Sequence, residues 1–420
     1  MQSWQSHLKK WLKPGLGVKR WLLFLALGIG LLSLGLAETV RTLDPLPQVF
    51  HYLTLRFLPH GLRAAVISLL GLWAIVYGGL GLYRAGLAPF LIGRAQSASQ
   101  VIYDYRRRGR GPKIVVIGGG HGQAVVLRGL KAYTSNLTAI VTVADDGGSS
   151  GRLRRDMGIL PPGDFRNCIA ALADDESLVA RLFQYRFAGG RDLQGHSFGN
   201  LFITAMAGVT GTFESALAES SQVLAVQGQV LPSTLETVTL CADVLDSDGK
   251  PMRVRGESEV PQEAGRILRV ALDPDAPSAY PGAIRAILAA DLVVIGPGSL
   301  FTSLLPNLLV PQIAEALRAT PATVAYVCNV TTEPGETTGY SAQAHLDAIE
   351  RHLGKGVLGV ILVNGRVPAE REPPSDAEWV KPDTAAHDMQ KVVYADLLDG
   401  RLAGHHDSAK VAQALLQIVG

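Results

Sequence analysis

Cysteine is scarce in this chain of 420 residues: three, at positions 168, 241 and 328, with no CxxC pair and an odd total. That excludes a disulfide framework and a cysteine knuckle for metal, and predicts three reduced thiols buried in a core. Charge of one sign is lacking too. Lys and Arg number 39 against 37 Asp and Glu, a net charge of +2. No global field favours a polyanion, so nucleic acid is not an expected partner. No internal repeat at solenoid periods is present, which excludes stacked arrays. What the chain has is apolar residues, 47% of the total, enough for a sizeable core. The excess behind a mean hydropathy of +0.20 sits at the N-terminus.

Residues 21–37, WLLFLALGIGLLSLGLA, and residues 64–83, AAVISLLGLWAIVYGGLGLY, are uncharged apolar runs. Each approaches the roughly 20 residues that a helix needs to cross a bilayer. Lys9, Lys10, Lys13, Lys19 and Arg20 precede the first; Arg84, Arg94, Arg106, Arg107, Arg108, Arg110 and Lys113 follow the second. The loop between holds Arg41, Arg56 and Arg63, partly balanced by Glu38 and Asp44. The asymmetry of basic residues predicts a transmembrane hairpin with both ends in the cytoplasm, hence a multi-pass protein of the cell membrane. A cleaved signal peptide ending at Ala37 is the rival reading, and it conflicts with that charge pattern. The expected organisation is a basic cytosolic start (1–20), spans at 21–37 and 64–83, a basic linker (84–112) and a cytosolic domain (113–420). The linker's YRRRGRGPK run suits a solvated connector, with contact to anionic headgroups as a second use.

From residue 113 onward the pattern alternates between strand and helix. KIVVIGGG, LTAIVTVADD, ADLVVIGPG, TVAYVCN and GVLGVILVN are apolar, β-branched runs, several ending in glycine or acid and leading into helical spacing. Strands apolar on both faces with helical crossovers predict an α/β fold: a Rossmann-like, doubly wound, mostly parallel sheet. The stretch from Gln229 to Asp273 alternates in short runs around a turn at 247–250 and predicts inserted β-hairpins.

Ligands of such sheets bind at the carboxyl ends of strands. Gly118, Gly119, Gly120, His121 and Gly122 follow the first strand and open a helix, an arrangement that favours an anion. The third glycine of a dinucleotide fingerprint is missing, with Gln123 in its place, which argues against an NAD-dependent oxidoreductase. Asp145 and Asp146 end the second strand and suit a ribose hydroxyl or a Mg²⁺ ion. Gly147, Gly148, Ser149, Ser150 and Gly151 then read as a flexible loop that wraps phosphate oxygens, with Arg152, Arg154 and Arg155 adding charge. Asp164, Arg166 and Asn167 head an apolar helix, where Asp164 alone reads first as an N-cap. GHSFGN contributes His196, Ser197 and Asn200. IGPGSLFTS contributes Gly296, Gly298, Ser299 and Thr302 as another phosphate nest. CNVTTEPGET stands ready to close the far side.

The order GGGxG, ADDGGSSGRLR, PPGDxRN, GHSFGN, IGPGSLxTSLLPNLLVP, CNVxTxPGET resembles the YvcK/CofD-like family from Lys113 to the C-terminus. VLPSTLETVTLCADVLDSDG followed by VRGESEVP is similar to the YvcK branch, the gluconeogenesis factors, in particular. The resemblance implies a cytosolic domain that binds a nucleotide sugar, UDP-N-acetylglucosamine, as a regulator of carbon metabolism, cell shape and envelope synthesis. No catalytic residue is assigned. It implies that Gly118–Gly122 face the nucleotide phosphates, that 145–150 lie beside them, and that Asp164, Arg166, Asn167, His196, Ser197 and Asn200 line the cleft. The alternative is a Mg²⁺-dependent transferase of the 2-phospho-L-lactate type with a nucleotide diphosphate donor. Members commonly have Thr where this chain has His121, which removes a hydroxyl donor. The membrane hairpin is expected to lie outside the resemblance. Homo-oligomerisation and the downstream protein partner are left open.

Overall fold

The computed structural model describes residues 107–419, apart from 174–177, 191, 247, 264, 367–371, 375 and 385–389, and seven isolated positions before them. The spans expected at 21–37 and 64–83 therefore fall, but for isolated positions, outside the described residues. Among the described residues no single helix is long and apolar enough to cross a membrane.

Residues 108–420 form one unit. Its main sheet contains β1 (Ile114–Gly118), β2 (Leu137–Val141), β3 (Gln229–Pro232), β7 (Leu292–Ile295), β8 (Thr323–Val327), β9 (Val360–Asn364) and β10 (Lys391–Ala395). The order is β10-β9-β8-β7-β1-β2-β3, and every pairing is parallel. β1, β7 and β9 are buried at every position. That is why these runs are continuous rather than alternating: helices cover both faces. The chain winds from β1 outward to β3, then returns to β7 and winds the other way. The reversal lies between β1 and β7, the place where such sheets open a crevice.

A second sheet, β4 (Thr239–Leu245), β5 (Pro251–Arg255) and β6 (Arg266–Asp273), is antiparallel with β4 in the middle. The turn after β4 is fastened by Asp246, whose Oδ1 accepts the N–H groups of Asp248 and Lys250. The inserted hairpin is as the sequence predicts, with one correction. Gln229–Pro232 is not hairpin material but the edge strand of the main sheet.

The helices are α1 (Gly120–Leu130), α2 (Gly148–Met157), α3 (Gly163–Leu172), α4 (Val179–Gln184), α5 (Phe198–Thr210), α6 (Phe213–Val223), α7 (Val260–Glu263) and α8 (Pro281–Leu288). Then come a π-helical turn (Leu300–Leu304), α9 (Leu305–Leu308), α10 (Pro311–Ala319), α11 (Ala342–Leu353) and α12 (Ser408–Val419). α1 buries Val126, Leu127 and Leu130. A Cβ on Gly129 would lie 2.0 Å from the Ser408 carbonyl oxygen, so that glycine lets α12 approach α1. All three cysteines are free and buried, as expected.

Candidate functional site at the carboxyl ends of the strands

The two glycine turns expected to bind phosphate meet at the reversal point. Gly122, at the start of α1, faces the turn after β7 so closely that a Cβ there would lie 2.4 Å from the Pro297 carbonyl oxygen. Gly296 and Gly298 have positive φ, +80° and +153°, which only glycine adopts readily. The side-chain amide of Asn329 holds that turn. Its Oδ1 accepts the Gly298 N–H at 3.1 Å and its Nδ2 donates to the Gly298 carbonyl at 3.0 Å. α1 begins at Gly119 in extended backbone with no side-chain cap from its own N-cap residue. The head of the helix lies at the crevice, with its Gly120 N–H taken by the Asp164 carboxylate.

Gln123 shows why the dinucleotide fingerprint fails. It is fully buried, and its Nε2 donates to the carbonyls of Val116 and Ile140 at 2.8 and 2.9 Å, while its Oε1 accepts from the Cys168 thiol. A side chain that ties α1 to both β1 and β2 stands where a Rossmann helix has bare glycine.

The acid pair divides. Asp146 is taken up by the inserted sheet: its Oδ1 accepts the Ser258 N–H at 3.0 Å and its Oδ2 the Glu257 N–H at 3.1 Å. Asp145 keeps to the crevice. Its Oδ1 accepts the Gly147 N–H, and burial holds its carboxyl above the usual range against the pull of that bond and the Ser150 hydroxyl. Among the described residues no group of three or more His, Cys, Asp or Glu side chains is placed to hold a metal. Of the expected pair, Asp145 is the carboxylate that the insert leaves free to meet a cation.

The expected flexible loop at 147–151 is not a loop. Gly148 starts α2 directly. The residues are small because the helix packs down on the strand end: a Cβ on Gly151 would lie 1.7 Å from the Asp146 carbonyl oxygen, and one on Gly163 would lie 2.4 Å from Ser150 Oγ. The three arginines also serve the protein itself. Arg152 donates to the Gln194 carbonyl, Arg154 to those of Val238 and Asp145, and Arg155 to that of Asp146.

Asp164 is not the N-cap of α3. Pro162 holds that position. The Asp164 carboxylate instead accepts the Gly120 N–H at the head of α1. Burial first, then the nearby Asp145 charge, push it up to about 7. Glu257, carried in by the insert, is pushed up to about 8 by burial and by Asp145, Asp146 and Asp164. Glu336, buried, accepts from Thr302 Oγ1 at 2.9 Å and from the Phe301 N–H at 3.2 Å, and burial raises it to about 7. Glu257 was missed in the sequence, although it sits inside the GES motif of the VRGESEVP block.

Arg166, within the fields of Asp164 and Asp145, sits in a polar network beside these acids. Ser149, Ser197, Asn200, His196, Arg166 and Asn167 form one buried network. Ser149 Oγ is 2.9 Å from His196 Nδ1 and accepts from Asn200 Nδ2 at 3.0 Å. Arg166 donates to Ser197 Oγ at 2.6 Å and to Asn167 Oδ1 at 2.9 Å. Partial desolvation of its ring, then the charges of Arg166, His405, Arg128 and Arg186, hold His121 below the usual histidine range although the residue reaches the surface. The structure therefore brings the predicted glycines, Asp145, Asp164, Ser150 and the Arg166–His196 network to one end of the sheet, and turns Asp146 and Arg152 to structural tasks. Ser299 is the N-cap residue of the π-helical turn, beside Gly298.

Residues 114–398 match the family described as 2-phospho-L-lactate transferase CofD. The gluconeogenesis factor of Bacillus subtilis (strain 168) is 46% identical over 318 residues, covering 74% of this chain and 99% of that protein. A Nostoc sp. protein, provisionally given the same name, is 46% identical over 432 residues, covering 98% of this chain and 92% of its own length. The crystal structure of protein BH3568 from Bacillus halodurans is 43% identical, with a TM-score of 0.69, and covers 73% of this chain and 100% of that one. The Nostoc match corrects one expectation: similarity is not confined to residues 113 onward, and the N-terminal segment has counterparts among the relatives.

Proposed function

Because the chain belongs to the YvcK/CofD-like family, alongside the gluconeogenesis factors, we propose that its main domain is a nucleotide-sugar-binding regulator whose ligand is UDP-N-acetylglucosamine. In this reading the domain lies in the cytoplasm, is tethered to the cell membrane by the N-terminal hairpin, and serves carbon metabolism, cell shape and envelope synthesis. The observation that carries it is the meeting of two glycine turns, Gly118–Gly122 and Gly296–Gly298, at the reversal point of the sheet, with the head of α1, where Asp164 takes the Gly120 N–H, at the crevice. Backbone N–H groups and the α1 dipole supply the diphosphate site. His121 offers a ring N–H at the position where the family commonly has Thr. Arg166, held by Ser197 and Asn167, fixes one wall, and Asp145 with Ser150 supports the other.

The raised carboxyls of Asp145, Asp164, Glu257 and Glu336 favour a second reading. Such a cluster relaxes when a cation arrives, which suits a transferase that works on a nucleotide diphosphate. A bound Mg²⁺ would be held by Asp145 and the diphosphate, and would supply neutralisation of phosphate charge.

Calorimetric titration of the full chain with UDP-N-acetylglucosamine, with and without Mg²⁺, separates the two. The regulator reading expects saturable binding with the ligand recovered intact. Turnover, or binding of GDP or GMP in place of UDP sugars, moves the protein to the transferase reading.

A further inference from the structure

The opposite end of the sheet holds a second, unassigned place for a ligand. A cavity of about 620 Å³ lies beside the amino ends of β1, β2 and β3, roofed by α8. It falls within the roughly 300–1,000 Å³ typical of small-molecule sites. It is about one strand length, ~16 Å, from the crevice described above. Lys113 and Arg285 line it, with Asn136, Gln229 and Tyr280. The Lys113 ammonium and the Arg285 guanidinium make no hydrogen bond or ion pair to the described residues, no carboxylate is among the residues that line this cavity, and the neighbouring Asp291 is engaged by the Lys113 N–H at 2.7 Å. The lining is shaped by glycine. Gly282 lets the Tyr280 ring lie against α8, where a Cβ would come within 2.4 Å of the ring. Gly228, at φ +124°, passes under the Leu137 carbonyl, which a Cβ would approach to 2.6 Å.

A second cavity, of about 390 Å³, adjoins the first across edge strand β3 and shares Gly228, Gln229, Leu231 and Tyr280 with it. Its other walls are aliphatic at Leu217, Ala218, Ala225, Val226, Val230 and Pro232 and polar at Glu214, Ser221 and Gln222. One chamber thus offers two free cations and amide groups, and the next offers aliphatic surface with one carboxylate, Glu214, in its wall. The basic linker joins the domain at the same end. The Ser135–Asn136 turn that borders the first cavity fastens residues 108–111, through the Ser135 N–H to the Arg108 carbonyl and Asn136 Nδ2 to the carbonyls of Gly109 and Gly111.

We propose that the paired cavities bind an amphipathic anion, a phosphate ester head between Lys113 and Arg285 with its apolar body across β3. The source is either a membrane phospholipid met where the linker joins or a soluble phosphoester. The proposal does not rest on the nucleotide-sugar reading, since it uses none of the same residues.

The test is calorimetry on the full chain in a neutral detergent. The probes are dihexanoyl phosphatidylglycerol, dihexanoyl phosphatidylcholine and hexyl phosphate. Saturable binding of the phosphatidylglycerol, at least tenfold tighter than the zwitterionic lipid, assigns the membrane source. Comparable binding of hexyl phosphate assigns a soluble phosphoester. The Lys113→Ala/Arg285→Ala double variant should weaken binding at least tenfold, while Arg110→Ala, outside the cavity, leaves it unchanged. Both replaced side chains are exposed, so the fold is expected to survive. Equal binding of both lipids, binding untouched by the double variant, or no saturable binding of any probe overturns the proposal.

Discussion

Asp164 shows how a single position departs from its local pattern. Its place in the first turn of α3 argues for capping, yet its carboxylate reaches across to the first N–H of α1, beside Asp145. A carboxyl raised to about 7 in the folded chain keeps a proton that the unfolded chain has released, so stability falls as pH rises from about 4 through 7. Asp164→Asn keeps an oxygen for the Gly120 N–H and removes the charge. We expect its melting temperature to exceed that of the parent at pH 8 and to converge with it near pH 4, as read by thermal denaturation across that range. An unchanged gap at both ends would show that the carboxyl ionises freely. Asp146 carries a different expectation. It holds two backbone N–H groups of the insert, and hydrogen bonds to a charged group contribute about 2 kcal/mol. Asp146→Ala should lower the melting temperature by about 5 °C and speed amide exchange at Glu257 and Ser258. If exchange there stays slow while ligand binding is lost, the residue belongs to the ligand and not to the insert.

At the scale of elements, the glycine turns act as paired surfaces. Gly122→Ala places a methyl 2.4 Å from the Pro297 carbonyl oxygen, and backbone cannot yield as a side chain would. The turn after β7 must shift, so nucleotide-sugar affinity should fall at least tenfold in calorimetry with a smaller effect on secondary structure by circular dichroism. Affinity at the parent level would mean that the two turns are not one site. The same elements show what was legible in the sequence. β1, β2, β7, β8 and β9 were readable because strands buried on both faces leave uninterrupted apolar runs. β3 was not, since four residues ending in Pro232, at a sheet edge and next to the inserted strands, give no pattern of their own. The 147–151 stretch misled for a physical reason as well: glycine and serine mark both a mobile loop and a helix start that must pack closely, and only the Asp146 carbonyl against Gly151 separates the two. Glu257 was out of reach because a residue in the turn after an inserted strand meets Asp145 and Asp146 only after the chain has folded.

The whole chain joins a domain that relatives possess alone to a segment that only some of them share. The Bacillus subtilis relative aligns over 99% of itself yet spans 74% of this chain. A unit of residues 108–420 should therefore fold without the N-terminal segment and bind nucleotide sugar within about twofold of the full chain, as any larger change would exceed ~0.4 kcal/mol and require the segment to touch the site. The proposed topology can be checked by labelling. Cys168, Cys241 and Cys328 are all buried and give a silent background toward a bulky reagent. Thr42→Cys falls between the two apolar runs and Ser97→Cys falls in the basic linker. If the excess of basic residues at 1–20 and 84–112 holds both ends inside, a membrane-impermeant maleimide labels Thr42→Cys in intact cells and labels Ser97→Cys only after lysis. The reverse pattern would put the main domain outside and remove it from cytosolic nucleotide sugars. Release of the chain from membranes by alkaline carbonate would remove the hairpin itself, because two runs of this length and hydropathy, once inserted, do not leave a bilayer when charges are stripped.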